Sequence, residues 1–127
     1  MLMPNFRRRF PLLPLEITLR EQNGVHVLAL SGRLILGQES TGFRSTVDKL
    51  LSSGATKLVI NLEHAHYIDS AGLGALIEAH RNTKAKGGRL KLAHLGPNFR
   101  KALETARLLA IFDISPTEAA ALASDWA

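Results

Sequence analysis

Hydrophobic and polar positions alternate with period two near the start of the chain. Residues 15–20 place Leu and Ile on one face, and residues 25–30 are rich in Val and Leu. The Asn23-Gly24 pair between them is typical of a two-residue hairpin turn, because both residues tolerate positive φ. The pattern therefore predicts two antiparallel strands.

Three further apolar runs have the length of strands, at residues 57–62, 89–93 and 111–114. The first is nearly continuous, which is typical of a strand covered on both faces. Residues 63–69, which follow it, are predicted to form a loop. Residues 32–42 carry few regular signals and are predicted to be a connection.

Helical periodicity fills the intervals between these strands. The predicted helices run from Thr41 to about Ser53, from about Ser70 to Lys86, from Pro97 to about Ala106, and from Ser115 or Thr117 to about Ala123. Their predicted inward positions include Phe43, Val47, Leu50, Leu51, Leu73, Leu76, Ile77, Phe99, Leu103 and Ala106. The resulting order, ββαβαβαβα, predicts a single α/β domain with a mixed, mostly parallel sheet of about five strands.

Length and composition narrow the possible classes of protein. A chain of 127 residues fits one domain, and its 46% hydrophobic and 21% charged residues are those of a folded protein. The chain has no cysteine, which excludes disulfide scaffolds, thiolate metal sites and cysteine nucleophiles.

The formal charge of +5 raises the question of nucleic-acid binding. Arg7, Arg8 and Arg9 carry most of it, within a stretch that has no acidic residue. We therefore divide the chain into a basic tail, residues 1–14, and a nearly neutral domain, residues 15–127. Prolines interrupt the tail, so we expect it to be flexible and neither a signal peptide nor a membrane span. The expected location is the cytoplasm, without direct nucleic-acid contact.

The most informative segment reads YIDSAGLG, from Tyr67 to Gly74, where a predicted strand leads into a helix. Asp69 is well placed as the N-cap, and Ser70 then occupies the first helical position beside the positive end of the helix dipole. A phosphate on Ser70 would be favoured by that dipole and disfavoured by Asp69. Two glycines in the first turns, Gly72 and Gly74, suggest a close approach to another surface. The same residues also fit a plain helix cap with packing glycines.

The stretch LVINLEHAHYIDSAGLGALIEAH resembles the signature of the STAS domain, the family of sulfate-transporter and anti-sigma-factor-antagonist domains. The Asp-Ser-small-Gly-Leu-Gly motif carries the resemblance. It is supported by Ser31-Gly32-Arg33-Leu34 at the end of the second strand, by Gly87-Gly88, and by the Ala-rich last helix. The resemblance extends over roughly residues 15–124.

The resemblance implies a role for each residue of this motif. Ser70 corresponds to the serine that is phosphorylated in anti-sigma-factor antagonists. A serine kinase that is also the anti-sigma factor adds the phosphate, and a PP2C-type phosphatase removes it. The unphosphorylated form binds the kinase and frees the sigma factor. Asp69 would cap the helix and position Ser70, and the partner-docking residues would be Ala71, Gly72, Leu73 and Gly74. Ile35 departs from the family, which often has an Asp there.

Two alternatives remain open from the sequence. The chain is also compatible with a non-phosphorylated STAS subunit of a transporter or a stress-sensing complex. An enzyme that binds a small ligand or nucleotide has less support, because Ser70 lies outside a G-x-S-x-G elbow and Gly72-x-Gly74 lacks the lysine of phosphate loops. No cofactor and no metal site are predicted, since the histidines are scattered: His26, His64, His66, His80 and His94. The oligomeric state is left undetermined.

Overall fold

The computed structural model describes residues 15–126, so the predictions for Arg7, Arg8 and Arg9 lie outside the described residues. Five strands form one sheet in the order β1-β2-β3-β4-β5. Their bounds are Leu15–Gln22, Val25–Leu34, Lys57–Ile68, Arg89–Ala93 and Asp113–Ser115. β1 pairs antiparallel with β2, and the remaining neighbours are parallel, which confirms the predicted mixed sheet.

Four helices alternate with the strands in the predicted order. They are α1 (Gln38–Ser52), α2 (Ser70–Ala85), α3 (Pro97–Thr105) and α4 (Glu118–Ala123). A short 3₁₀ turn, Leu109–Ile111, precedes β5. No helix between residues 15 and 126 has both the length and the apolar character needed to cross a bilayer.

The hairpin between β1 and β2 has the predicted turn. Asn23 and Gly24 both have positive φ, at 53° and 81°, as a type I′ turn requires. Gln22 lies directly opposite Val25, and the register continues without a break to Leu15 opposite Gly32.

Two predicted connections proved to be regular structure. β3 continues to Ile68, so the predicted loop over residues 63–69 is wrong. The additional strand residues, 63–68, pair with the end of β2 across two register shifts that the local sequence pattern does not indicate. α1 begins at Gln38 and not at Thr41, following Gly37, whose φ of 112° ends the connection sharply.

Smaller differences occur near the C-terminus. The fifth strand is Asp113–Ser115 instead of residues 111–114, because Ile111 belongs to the 3₁₀ turn. Ala106 is exposed, not inward, since α3 ends one residue before it. The last helix is capped by Thr117, one of the two predicted residues, whose side chain accepts a hydrogen bond from the Ala120 N–H.

The sheet is covered on both faces. The main core lies on the side of α1, α2 and α3, and the largest fully buried apolar side chains there include Phe43, Phe99, Leu28, Leu58, Ile60, Leu76 and Leu103. A smaller cluster on the other face consists of Val25, Val27, Val59, Ala93 and Ala121, and α4 contributes the last of these. Burial on both faces explains the continuous apolar run of β3.

Lys91 lies on the same face of the sheet as this smaller cluster, and it is unusual for a lysine because only 1% of it is exposed. Its Nζ donates hydrogen bonds to the Ser124 hydroxyl and, at 2.6 Å, to the Asp125 carbonyl oxygen. The Trp126 ring lies over the same Nζ, 4.1 Å from the ring centroid. Burial lowers the pKa of Lys91 from its ordinary value. The segment after α4 thus supplies the polar partners that this buried ammonium needs.

Candidate functional site

The candidate site lies at the carboxyl ends of β2 and β3. Leu34 and Ile68 are paired there, as the last residues of their strands. The Asp69 N–H donates to the Leu34 carbonyl oxygen at 3.4 Å, so the chain leaves the sheet directly into the start of α2. Carboxyl ends of parallel strands are where open α/β sheets place their sites.

Asp69 joins the two segments that leave these strands. Its Oδ1 accepts from the Gly72 N–H at 2.9 Å, which caps α2. Its Oδ2 accepts from the Leu36 N–H at 3.0 Å, which holds the loop after β2. The Leu36 N–H is the main cause of a lowered pKa for Asp69, and the Gly72 N–H acts in the same direction. The carboxylate is therefore charged at neutral pH.

Ser70 is the first residue of α2, and it is exposed. Within residues 15–126, its hydroxyl makes no hydrogen bond to another residue. The hydroxyl therefore stands in solvent at the N-terminus of a 16-residue helix, beside the ionised carboxylate of Asp69. This arrangement leaves it accessible to an enzyme that would modify it, with the helix dipole available to stabilise added negative charge.

The two glycines of the motif have different surroundings. Gly72 is buried, and a Cβ atom there would lie 2.0 Å from the Leu34 carbonyl oxygen. Gly72 thus seats α2 on the end of β2 and offers little surface to a partner. A Cβ atom on Gly74 would meet nothing closer than Arg44 Nη2, at 3.8 Å. Ala71 and Leu73 are half-buried, and Leu73 packs against the main core.

Two large apolar side chains are exposed at the end of the sheet that carries Ser70, and the sequence did not predict their exposure. Leu36 is 74% exposed and Tyr67 is 52% exposed, although both are large and apolar. On α2, two turns beyond Ser70, Glu78 accepts a hydrogen bond from Arg44 Nε at 3.0 Å. Leu36 follows β2 and Tyr67 is the next-to-last residue of β3, so only the pairing of β2 with β3 brings them to the same end of the sheet.

Ile35, the first residue after β2, is half-buried. Its carbonyl oxygen accepts from the Ser40 N–H at 3.0 Å, which helps to start α1. This chain has an apolar side chain where the STAS family often has an Asp. The carboxylate that joins the loop after β2 to α2 is that of Asp69.

The histidines do not gather into a metal site. His64 and His66, predicted in a loop, lie in the extended part of β3 and are exposed. His94 Nε2 accepts from the Glu118 N–H at 3.0 Å, so it caps α4 on the other face of the sheet. Among the described residues, no three His, Asp or Glu side chains are arranged to hold a metal ion.

A polar cluster around Glu118 was missed by the sequence analysis. The Glu118 carboxylate accepts from Arg20 of β1 and, at 2.9 Å, from Asn61 Nδ2 of β3. The hydrogen bond from Arg20 is the main cause of a lowered pKa for Glu118. No local pattern indicates this cluster, because its members are distant in sequence. It fixes α4 to the sheet, away from Ser70.

The chain is similar to known anti-sigma factor antagonists. The STAS domain family model matches residues 16–121. An anti-sigma F factor antagonist from Paenibacillus polymyxa is 27% identical over 109 residues, which span 85% of this chain and 92% of that protein.

Two solved structures share the fold. An anti-sigma factor antagonist from Mycobacterium paratuberculosis superimposes with a TM-score of 0.76 at 21% identity, over 85% of this chain and 91% of that one. The Bacillus cell fate determinant SpoIIAA in its phosphorylated form gives 0.66 at 24% identity, over 83% and 96%. With a family model that spans most of the chain, and with the Asp69-Ser70 motif at the strand-to-helix junction, the chain belongs to the STAS domain family.

Proposed function

We propose that this protein is an anti-sigma factor antagonist that is switched by phosphorylation of Ser70. Unphosphorylated, it binds an anti-sigma factor serine kinase and so frees the sigma factor; phosphorylated, it does not bind. The observation that carries the proposal is the exposed Ser70 hydroxyl at the start of α2, beside the Asp69 carboxylate and without a hydrogen bond to any of residues 15–126. The similarity to a structure described as the phosphorylated form supports it.

The switch acts on the partner and not on the fold. A phosphate on Ser70 adds about −1.5 to −2 charges next to the ionised Asp69. The helix dipole and the free N–H groups of the first turn offset part of the repulsion, so α2 stays folded. A partner that covers the exposed Leu36 and Tyr67 would have to remove water from the phosphate and from Asp69, at a large cost in binding free energy.

The chain would then act as a binding module and not as an enzyme. Ala71, Leu73 and Gly74 form part of the docking face with Leu36 and Tyr67, and Gly72 supports that face from within. The kinase that phosphorylates Ser70 and a PP2C-type phosphatase that restores it are the partners. All three proteins would act in the cytoplasm, where sigma factors act.

The test is to recover the partner from native cells and measure its binding to Ser70 variants. We expect an ATP-binding kinase to co-purify and to transfer one phosphate, located on Ser70 by mass spectrometry. Ser70→Ala should bind the kinase like the unphosphorylated parent. Ser70→Asp should bind at least about tenfold more weakly, which corresponds to about 1.4 kcal/mol. Isothermal titration calorimetry measures both variants.

Ser52→Asp is the matched control, because Ser52 is exposed at the C-terminal end of the 15-residue α1, whose other end begins next to Leu36 and the site. It should bind like the parent. Equal binding by Ser70→Asp and the parent would refute the switch. Co-purification with a transporter ATPase in place of a kinase would instead favour a transporter subunit.

The apolar surface beside Ser70 gives a second expected result. Leu36→Ser should weaken kinase binding by about tenfold, because an exposed apolar side chain at the centre of an interface contributes on the order of 1 kcal/mol or more. Its effect on the free energy of unfolding should be small, since Leu36 is 74% exposed. Ile111→Ser, at a residue that is 43% exposed in the 3₁₀ turn, is the control and should leave binding unchanged. Equal losses in both variants would contradict a docking role for Leu36.

A further inference from the structure

Within the described part of the chain, β1 is an end strand with a long unpaired edge. Among residues 15–126 it pairs with β2 alone, over all eight of its residues and without a register shift. It contains neither Pro nor Lys, residues that commonly protect edge strands from pairing. Most of its side chains are exposed, and Leu19 is 49% exposed although it is apolar. Such an edge is a template for one more strand.

The hairpin turn determines which backbone groups face outward. In a two-residue type I′ hairpin, the residues that flank the turn, Gln22 and Val25, form a hydrogen-bonded pair. Bonding alternates along the strand, so Arg20, Thr18 and Glu16 also bond to β2. The N–H and C=O groups of Ile17 and Leu19 must then point to the open edge.

We infer that β1 pairs antiparallel with β1 of a second copy, centred on Thr18, to give a continuous ten-stranded sheet. A two-fold axis at Thr18 places Ile17 opposite Leu19 of the partner subunit, and both have outward backbone groups that can exchange hydrogen bonds. The same register places Glu16 opposite Arg20 of the partner subunit. Arg20 also bonds to Glu118 of its own copy, but its side chain stays 46% exposed, so each interface has two opposite-charge pairs. Shifting the axis by one residue in either direction loses this match.

Side chains on the helix side of the sheet support the same register. A groove of about 580 Å³ runs between β1 and α1, and Leu15, Ile17 and Gly42 are among its lining residues. The partner's Leu19 would lie next to Ile17 at the mouth of this groove, so the exposed apolar side chain of each copy is covered by the other. The Ser70 site lies at the carboxyl ends of β2 and β3 and stays open in this dimer.

Cysteine cross-linking tests the register, because the chain has no cysteine of its own. In the inferred pairing, Thr18 faces its own copy in a non-hydrogen-bonded pair, whose short Cα separation suits a disulfide. Thr18→Cys should therefore form a covalent dimer under mild oxidation at least roughly tenfold faster than Glu16→Cys, since opposed thiols have a high effective concentration. Glu16→Cys is the matched control, as its thiol faces Arg20 of the partner subunit. Equal rates for the two variants would overturn the inference.

A charge substitution tests the same pairing in the full-length chain without cross-linking. Sedimentation velocity should show a dimer for the parent. Glu16→Arg places an arginine opposite Arg20 of the partner subunit and should raise the dissociation constant by about tenfold. Glu21→Arg makes the same charge change opposite Leu15 of the partner subunit and should have a much smaller effect. A monomeric parent, or equal effects of the two variants, would overturn the dimer whether or not Ser70 is phosphorylated.

Discussion

Replacing Gly72 with alanine is expected to lower the free energy of unfolding by about 3 kcal/mol. The added Cβ would lie 2.0 Å from the Leu34 carbonyl oxygen and 2.8 Å from its carbon, separations that atoms do not tolerate. Both neighbours are backbone atoms at the end of β2, so no side chain can rotate away. α2 must then move off the sheet, which also disturbs the hydrogen bonds that Asp69 makes to Leu36 and Gly72.

Gly74→Ala is the matched control for this experiment, because it makes the same change one half-turn later in the same helix. Its Cβ would lie 3.8 Å from Arg44 Nη2, an ordinary van der Waals contact. Alanine is the better helix former, so this variant should be up to about 1 kcal/mol more stable than the parent. Urea unfolding measures both variants. Comparable stabilities for Gly72→Ala and Gly74→Ala would show that α2 is not seated on β2 as described.

The contrast between the two glycines also separates stability from binding. Gly74 is half-buried beside Arg44, within the surface that we propose for docking, and a methyl group there is tolerated by the fold. A Gly74→Ala variant that is stable but binds the kinase weakly would show that the partner approaches the helix closely at this point. Gly72→Ala cannot make this distinction, because its first effect is on the fold.

Elements with strong local signals were predictable from the sequence. The Asn23-Gly24 turn and β4 agree with prediction, since turn chemistry and a short apolar run between polar residues are sufficient for both. The full length of β3 was not predictable. Its last residues, 63–68, alternate weakly and are held by β2 after a bulge, so their strand conformation depends on a distant partner.

The candidate site likewise has residues that the sequence predicts and contacts that it does not predict. Asp69 and Ser70 lie at the start of α2, as the local cap signal indicates. The bond from Leu36 to Asp69 joins residues 33 positions apart, and no periodicity in either segment predicts it. The different roles of Gly72 and Gly74 also depend on what lies beside the helix, which is the end of β2 for one and the Arg44 side chain for the other.

The Asp69 carboxylate should contribute to stability in a pH-dependent way. Asp69→Ala removes the helix cap and the acceptor for Leu36, and at pH 7 it should lower the free energy of unfolding by about 2 kcal/mol. Asp69→Asn retains one side-chain oxygen and should lose about half as much. The pKa of Asp69 is lower in the folded protein than in the unfolded chain. The contribution of its charge is therefore complete above about pH 4, the unfolded value, and disappears as the pH falls through the folded value.

The pH dependence separates the contribution of the Asp69 charge to stability from the contribution of its geometry as the helix cap. The gap in unfolding free energy between the parent and Asp69→Asn, measured in urea, should be constant from pH 7 down to about pH 4 and should narrow below it. Asp48→Asn is the matched control, because Asp48 is exposed on α1 and makes no hydrogen bond or ion pair within residues 15–126. The difference in unfolding free energy between Asp48→Asn and the parent should be small at pH 7. An Asp69→Asn gap that does not narrow in acid would mean that the two N–H groups bind the side-chain oxygens equally well without the charge, and Asp69 would then position Ser70 by geometry alone.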